Sequence, residues 1–229
     1  QAGSTDQPAD LTIRAGKGVV VGESDLAGTG TGFITVTLDN GAFDGNYMTG
    51  CDGGVECPFT AVTGDGSNIY VASEERPTPS DPDRLYVAKY DASMNPVSTF
   101  GGDCKVNHVK IKPWDEAAVD SVMSGDGSIY TLGTYGKYGN SKTYIHKQLA
   151  DGSPDATFGV AGTVTHDFFP SSEEYTSALA VSGGAVFVTG YDLSGSPATG
   201  FVAKFNASGL DTLSGFGSGG IATIAPSAN

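Results

Sequence analysis

Trp114, the only tryptophan in the chain, is followed directly by Asp115 and Glu116. An aromatic face beside carboxylates suits a sugar, because the ring stacks on C–H surfaces while the carboxylates accept from hydroxyls. About one repeat later, Phe168, Phe169 and Tyr175 occupy the corresponding linker, among Asp167, Glu173 and Glu174. Tyr135 and Tyr138, in TYGKYG, belong to another class of loop and would serve the opposite face. The ligand-binding candidates are therefore Trp114, Asp115, Phe168, Phe169, Tyr175, Tyr135 and Tyr138; the competing reading makes these aromatics packing between sheets. A carboxylate pair for glycoside hydrolysis can be drawn from Asp115, Glu116, Asp167, Glu173 and Glu174, although spacing along the chain does not fix the separation such a pair needs.

Other reactive residue types carry less. Asp65 and Asp126 lie in two Gly-Asp-Gly-Ser turns, where one Asp more often closes an Asx turn than ligates calcium, which needs several converging oxygens. No cofactor is expected, with calcium as a weak alternative. His108, His146 and His166 stand without an H-E-x-x-H, a G-x-S-x-G or a phosphate-binding loop, so no catalytic residue is assigned and the chain reads as a non-enzyme. His146 lies in a repeated strand whose counterparts carry Ala88 and Ala203. Cys51, Cys57 and Cys104 are the disulfide candidates; no zinc-type spacing accompanies them. One bond and one free thiol suit an exported protein, with either a short Cys51–Cys57 loop or a Cys57–Cys104 tie between repeats, and three buried thiols is the alternative.

The elements that must position these residues are written more than once. Tyr86–Gly101, YVAKYDASMNPVSTFG, aligns without a gap on Tyr144–Gly159, YIHKQLADGSPDATFG, and a third copy, FVAKFNASGLDTLSGFG, needs one inserted residue. Lys89, Lys147 and Lys204 keep register, as do Phe100, Phe158 and Phe216 at the Phe-Gly turn. Phe100, Phe158 and Phe216 read as wedges between repeats. Each copy offers about four short alternating strands separated by glycine turns, the content of one propeller blade, which cannot shield both its apolar faces alone. The expected fold is all-β, a β-propeller of about four four-stranded blades: a flexible 1–9, then one domain over 10–225 with repeats at 10–57, 58–115, 116–174 and 175–225. A self-closed ring is preferred over half of a larger ring or a piece of a longer protein, with Ile221–Ile224 pairing near Leu11–Arg14 as a latch.

The pattern GDGSIYTLG, then TYIHKQLADGSPDATFG, then GTVT resembles the delta-60 repeat, a bacterial β-propeller family of undefined function. Its typical form couples a strand of the ILVAG kind to an ALARYNADGSLDTSFG strand and turn. IYVAS, IYTLG and VFVTG fill the first slot here. The resemblance covers roughly residues 11–224, most weakly in the first copy. It implies a propeller and a place at the bacterial cell exterior, and it transfers no catalytic residue.

Composition bounds the function. Net charge is −14, with only 12 Lys and Arg among 229 residues, which repels nucleic acid and anionic lipid. No apolar run is long enough to span a bilayer as a helix. The expectation is a secreted or surface-displayed binding and adhesion module for a glycan or a surface protein of another cell, without nucleic acid or membrane insertion, with oligomerisation open. A polysaccharide-acting hydrolase with acidic residues in a central cleft is the alternative, and a structural spacer the third reading.

Overall fold

The structure is a computed structural model and describes residues 6–24, 31–38, 40–44, 58–76, 82–102, 104–107, 115–137, 140–170, 172–195, 197–209 and 215–224. These form four four-stranded antiparallel sheets, each from consecutive strands in simple meander order. The first holds β1 (Asp6–Arg14), β2 (Lys17–Ser24), β3 (Thr31–Thr37) and β4 (Phe43–Asp44). The second holds β5 (Phe59–Gly64), β6 (Ile69–Glu75), β7 (Arg84–Tyr90) and β8 (Lys105–Asn107). β9 (Glu116–Met123), β10 (Ile129–Lys137), β11 (Asn140–Gln148) and β12 (Thr163–His166) make the third. The fourth is β13 (Glu174–Ser182), β14 (Ala185–Asp192), β15 (Thr199–Phe205) and β16 (Ile221–Ile224). Among the described residues no helix is long and apolar enough to cross a membrane.

The strands alternate with apolar side chains on both faces, so the core lies between sheets. Val19, Val21 and Ile34 of the first sheet pack on Phe59, Val71, Tyr86 and Tyr90 of the second. Tyr70, Ala72, Val87 and Phe100 leave the second sheet from its other face to meet Ala118, Ile129 and Tyr144 of the third. Tyr130, Leu132, Ile145 and Phe158 then meet Val186, Val188, Phe201 and Phe205 of the fourth. Each fully buried ring or branched side chain contributes about 1.5–3 kcal/mol, so the seams supply much of the stability.

The first strands of the sheets pack in sequence, β1 on β5, β5 on β9 and β9 on β13. Polar stitches fix their register: the Val62 amide donates to Asp10 Oδ2 at 2.7 Å, the Leu179 amide to Asp120 Oδ2 at 2.6 Å, and the Met123 amide to Thr63 Oγ1 at 2.9 Å. All four first strands carry a bulge at the same place, facing Val21–Gly22, Ala72–Ser73, Leu132–Gly133 and Thr189–Gly190. A bulge re-aims the strand, and here it presses a carbonyl against the neighbouring strand. A Cβ at Gly133 would sit 2.4 Å from Ala117 O and 2.2 Å from the Tyr144 hydroxyl. Gly133→Ala is therefore expected to lower stability by about 1–3 kcal/mol, read as a lower urea midpoint with unchanged slope. An unchanged midpoint would mean the bulge relaxes freely.

Three expectations need correction. β1 begins at Asp6 and pairs through Pro8 with Gly22–Ser24, so residues 6–9 are part of the sheet; ladder bonds come from the backbone and need no apolar side chains. The latch is not formed: β16 pairs with β15 and β1 with β2, and the sheets do not close into a ring. Each repeat fills its own outer edge with its own fourth strand, which leaves none to lend. Cys104 is disulfide-bonded, so the three-thiol alternative does not hold; Cys51 and Cys57 lie outside the described residues.

Candidate functional site

β6 ends in Glu74 and Glu75, and strand alternation sends the two carboxylates to opposite faces. Glu75 turns towards the first sheet and is neutralised, with Oε1 at 2.5 Å from Arg84 Nη2 and Oε2 at 2.6 Å from Lys105 Nζ. Glu74 turns the other way, with Tyr70 and Ala72, to the rim of the seam between the second and third sheets. Its surroundings are mostly of its own sign. Burial pushes the Glu74 carboxyl up to about 7, with the negative charges of Asp83, Asp115 and Glu23 acting in the same direction and Arg76 opposing them. Glu23 occupies on β2 the register position that Glu74 holds on β6.

Backbone bonds hold this cluster in place. The Asp83 amide donates to Asp115 Oδ1 at 3.1 Å, the Glu116 amide to the Asp83 carbonyl at 3.1 Å, and the Gly136 amide to the Asp115 carbonyl at 3.4 Å. Arg76 grips Asp83 through two bonds of 2.8 and 2.7 Å, which commits its guanidinium to that carboxylate. Asp115 is exposed and Glu74 half-buried. Beneath them lies Tyr144, wholly buried, its ring 6.3 Å from that of Tyr135. Burial, and then the charges of Glu116 and Glu74, hold the Tyr144 hydroxyl well above its usual range. The Glu74 carboxyl is thus poised near neutrality in the field of Asp83 and Asp115, a perturbation of the kind found at functional sites.

Two of the candidates come together at this rim, Asp115 and Tyr135. Phe168 lies apart from this rim, buried against Phe201, Phe205 and His166. Phe169 packs beside it on Phe201. Tyr175 stacks at 5.2 Å and 14° on Tyr191, on the far face of the fourth sheet. Trp114 and Tyr138 lie outside the described residues.

Glu116 and Glu174 are buried fasteners. Glu116 accepts from the Leu85 amide of the preceding sheet. Glu174 accepts from the Thr143 amide and hydroxyl of the preceding sheet, and from the Phe168 and Phe169 amides. Asp65 and Asp126 are occupied by their own turns, Asp65 accepting from Ser67 and Asn68 and Asp126 from Ser124 and Ser128. Among the described residues no group of three or more His, Cys, Asp or Glu is arranged to hold a metal. His146 is buried between sheets, bonded to Thr163 Oγ1 at 2.9 Å, and burial pushes it down to about 3, so it stays neutral.

Solved structures share this arrangement of sheets. They include an ulvan lyase of a polysaccharide lyase family (TM-score 0.58, 10% identity, 89% of this chain and 53% of that one). An endo-arabinase from Bacteroides thetaiotaomicron (0.57, 9%, 91% and 78%) and a GH43 β-1,3-galactosidase (0.53, 13%, 84% and 42%) are also similar. The fold is shared with carbohydrate-active enzymes. The chain spans about half the length of the lyase, at 53%. No family model and no curated protein matches the sequence, so the delta-60 resemblance rests on the repeat residues alone. The comparisons overturn the reading of an adhesion module, since these neighbours are a lyase and glycosidases.

Sequence reasoning passed over Glu74 because it closes a strand read as scaffold. A signal was present. In the repeat register Glu74 is matched by Glu23, Thr134 and Tyr191, so the position is acidic in the first two copies and not in the last two.

Proposed function

We propose that the chain is a propeller-type carbohydrate-active unit that hydrolyses glycosidic bonds of a neutral polysaccharide, with Glu74 as general acid and Asp115 as its carboxylate partner. The observation that carries this is the Glu74 carboxyl, held to about 7 among like charges. A protonated Glu74 delivers its proton to the glycosidic oxygen as the C–O bond breaks. The positive charge that develops on the sugar is stabilised by the Asp115 carboxylate, and water completes the hydrolysis. The endo-arabinase and the β-1,3-galactosidase among the similar structures support this class of substrate, whereas the lyase is bound to an anionic polymer of glucuronate and sulfated rhamnose.

Elimination of the lyase kind fits less well. It acts on a uronate whose carboxylate must be neutralised by a cation, and Arg76 is already committed to Asp83. A neutral polymer also approaches a chain of net charge −14 without repulsion. The Cys104 disulfide fits an oxidising compartment, which supports work outside the cytosol, where polysaccharide is met.

The test is incubation with neutral arabinans and galactans and with an anionic uronate polymer, reading new reducing ends. Release from a neutral polymer is expected. No release from any polymer removes the proposal, and unsaturated products from the uronate alone would replace it with elimination.

A further inference from the structure

At the seams between the second and third sheets and between the third and fourth, the later sheet offers a knob and its predecessor a socket. The knob is the turn after the third strand, closed by paired backbone bonds: Asp91 N to Asn95 O and Met94 N to Asp91 O in the second sheet, Leu149 N to Ser153 O and Gly152 N to Leu149 O in the third. Its tip has positive φ, at Met94 (63°), Gly152 (92°) and Gly209 (69°). The socket is the Phe-Gly turn with an aromatic partner from the second strand. Gly152 lies against Phe100 and Val106, and Gly209 against Phe158 and Val164, too close for a Cβ. Backbone bonds lock the fit, Gly101 N to Asp151 O at 3.4 Å and Gly159 N to Ser208 O at 2.7 Å.

The fourth sheet carries the same socket with no later sheet packed on it among the described residues. Phe187 and Phe216 meet edge to face at 6.1 Å, as Tyr70 and Phe100 do at 5.7 Å and Tyr130 and Phe158 at 5.6 Å. Lys204 lies over both rings, at 5.3 and 5.8 Å, as Lys89 lies over Tyr70 and Phe100. Phe100 and Phe158 are buried, whereas Phe187 and Phe216 are half-exposed. The first sheet carries the same knob with no earlier sheet packed on it among the described residues. Leu38 N bonds Ala42 O and Gly41 N bonds Leu38 O, and Gly41 (φ 79°) has nothing within 4 Å of its Cβ position. On the same face of that sheet Leu11 and Ile13 are 56% and 64% exposed.

We infer that the socket at Phe187, Phe216 and Gly217 receives the Gly41 knob of a second copy of this chain, and that two such head-to-tail seams join two copies. The occupant follows from continuity: this chain's own first sheet presents the knob that its own fourth sheet lacks. Two reciprocal seams also leave neither apolar end exposed. The inference stands independently of the catalytic proposal.

Light scattering on the gel-filtered chain tests it. The expected mass is about twice 23.3 kDa. Phe216→Glu in the socket and Ile13→Glu on the knob face should each give monomers with melting curves no lower than a monomeric fold requires, read by circular dichroism. Mixed together, the two variants should recover a dimer, because each keeps the half that the other has lost. A monomeric parent, an assembly larger than two copies, or a dimer that survives both substitutions overturns the inference.

Discussion

Glu74→Gln is expected to abolish hydrolysis while making the protein more stable above neutral pH. The loss follows from the role of the proton donor: an amide cannot deliver the proton, and removing a positioned general acid costs about 10²–10⁴-fold in rate. The gain follows from linkage. Folding raises the Glu74 carboxyl from 4.5 to about 7, so its stabilising balance is complete below pH 4.5 and is lost as pH rises through 7. A displacement of that size corresponds to at most about 3 kcal/mol, and with Glu74 only half-buried we expect about 1–2 kcal/mol. Gln is neutral throughout, so the variant should exceed the parent at pH 8 by that amount and match it at pH 4. Urea titrations at the two pH values read the difference. A variant less stable than the parent at pH 8 would show that Glu74 is a structural carboxylate. Opposite signs for activity and stability at one residue mark a site maintained for chemistry.

Phe158→Ala is expected to be among the most damaging single changes, at about 3–5 kcal/mol. Its ring is fully buried in the seam between the third and fourth sheets, edge-on to Tyr130 and against the Gly209 tip. The cavity cannot close, because the Gly159–Ser208 backbone bond fixes the two sheets at that point. Phe216→Ala removes the same ring from the same repeat position on the half-exposed face of the fourth sheet. For the isolated chain it should cost only about 1 kcal/mol. Thermal melts of the pair at low protein concentration measure the contrast. Equal losses would contradict the view that the core resides between sheets.

The sheets were legible in the sequence because the chain repeats itself. Lys89, Lys147 and Lys204 keep step, and Tyr70 with Phe100 and Tyr130 with Phe158 recur as edge-to-face pairs. The ends of the row were not legible, since whether Ile221–Ile224 joins β15 or reaches β1 is a matter of pairing partner and both are equally strand-like. The site was only half legible. Asp115 and Tyr135 of the proposed site are picked out by residue type, but the raised Glu74 carboxyl on which the proposal rests depends on burial by the third sheet and on Asp83, Asp115 and Glu23, contributed by other strands and linkers. Spacing along one strand contains none of that. Phe168 shows the converse: an aromatic beside carboxylates in sequence, it turns inward because Phe201 and Phe205 complete its packing.

The most direct measurement is the ionisation of Glu74 itself, followed by carbon-detected NMR of the side-chain carboxyls in the folded protein and assigned with Glu74→Gln. The proposed acid requires a midpoint of about 7. A midpoint in the ordinary glutamate range, near 4.5, would leave the rim without a proton to donate at neutral pH and contradict the account.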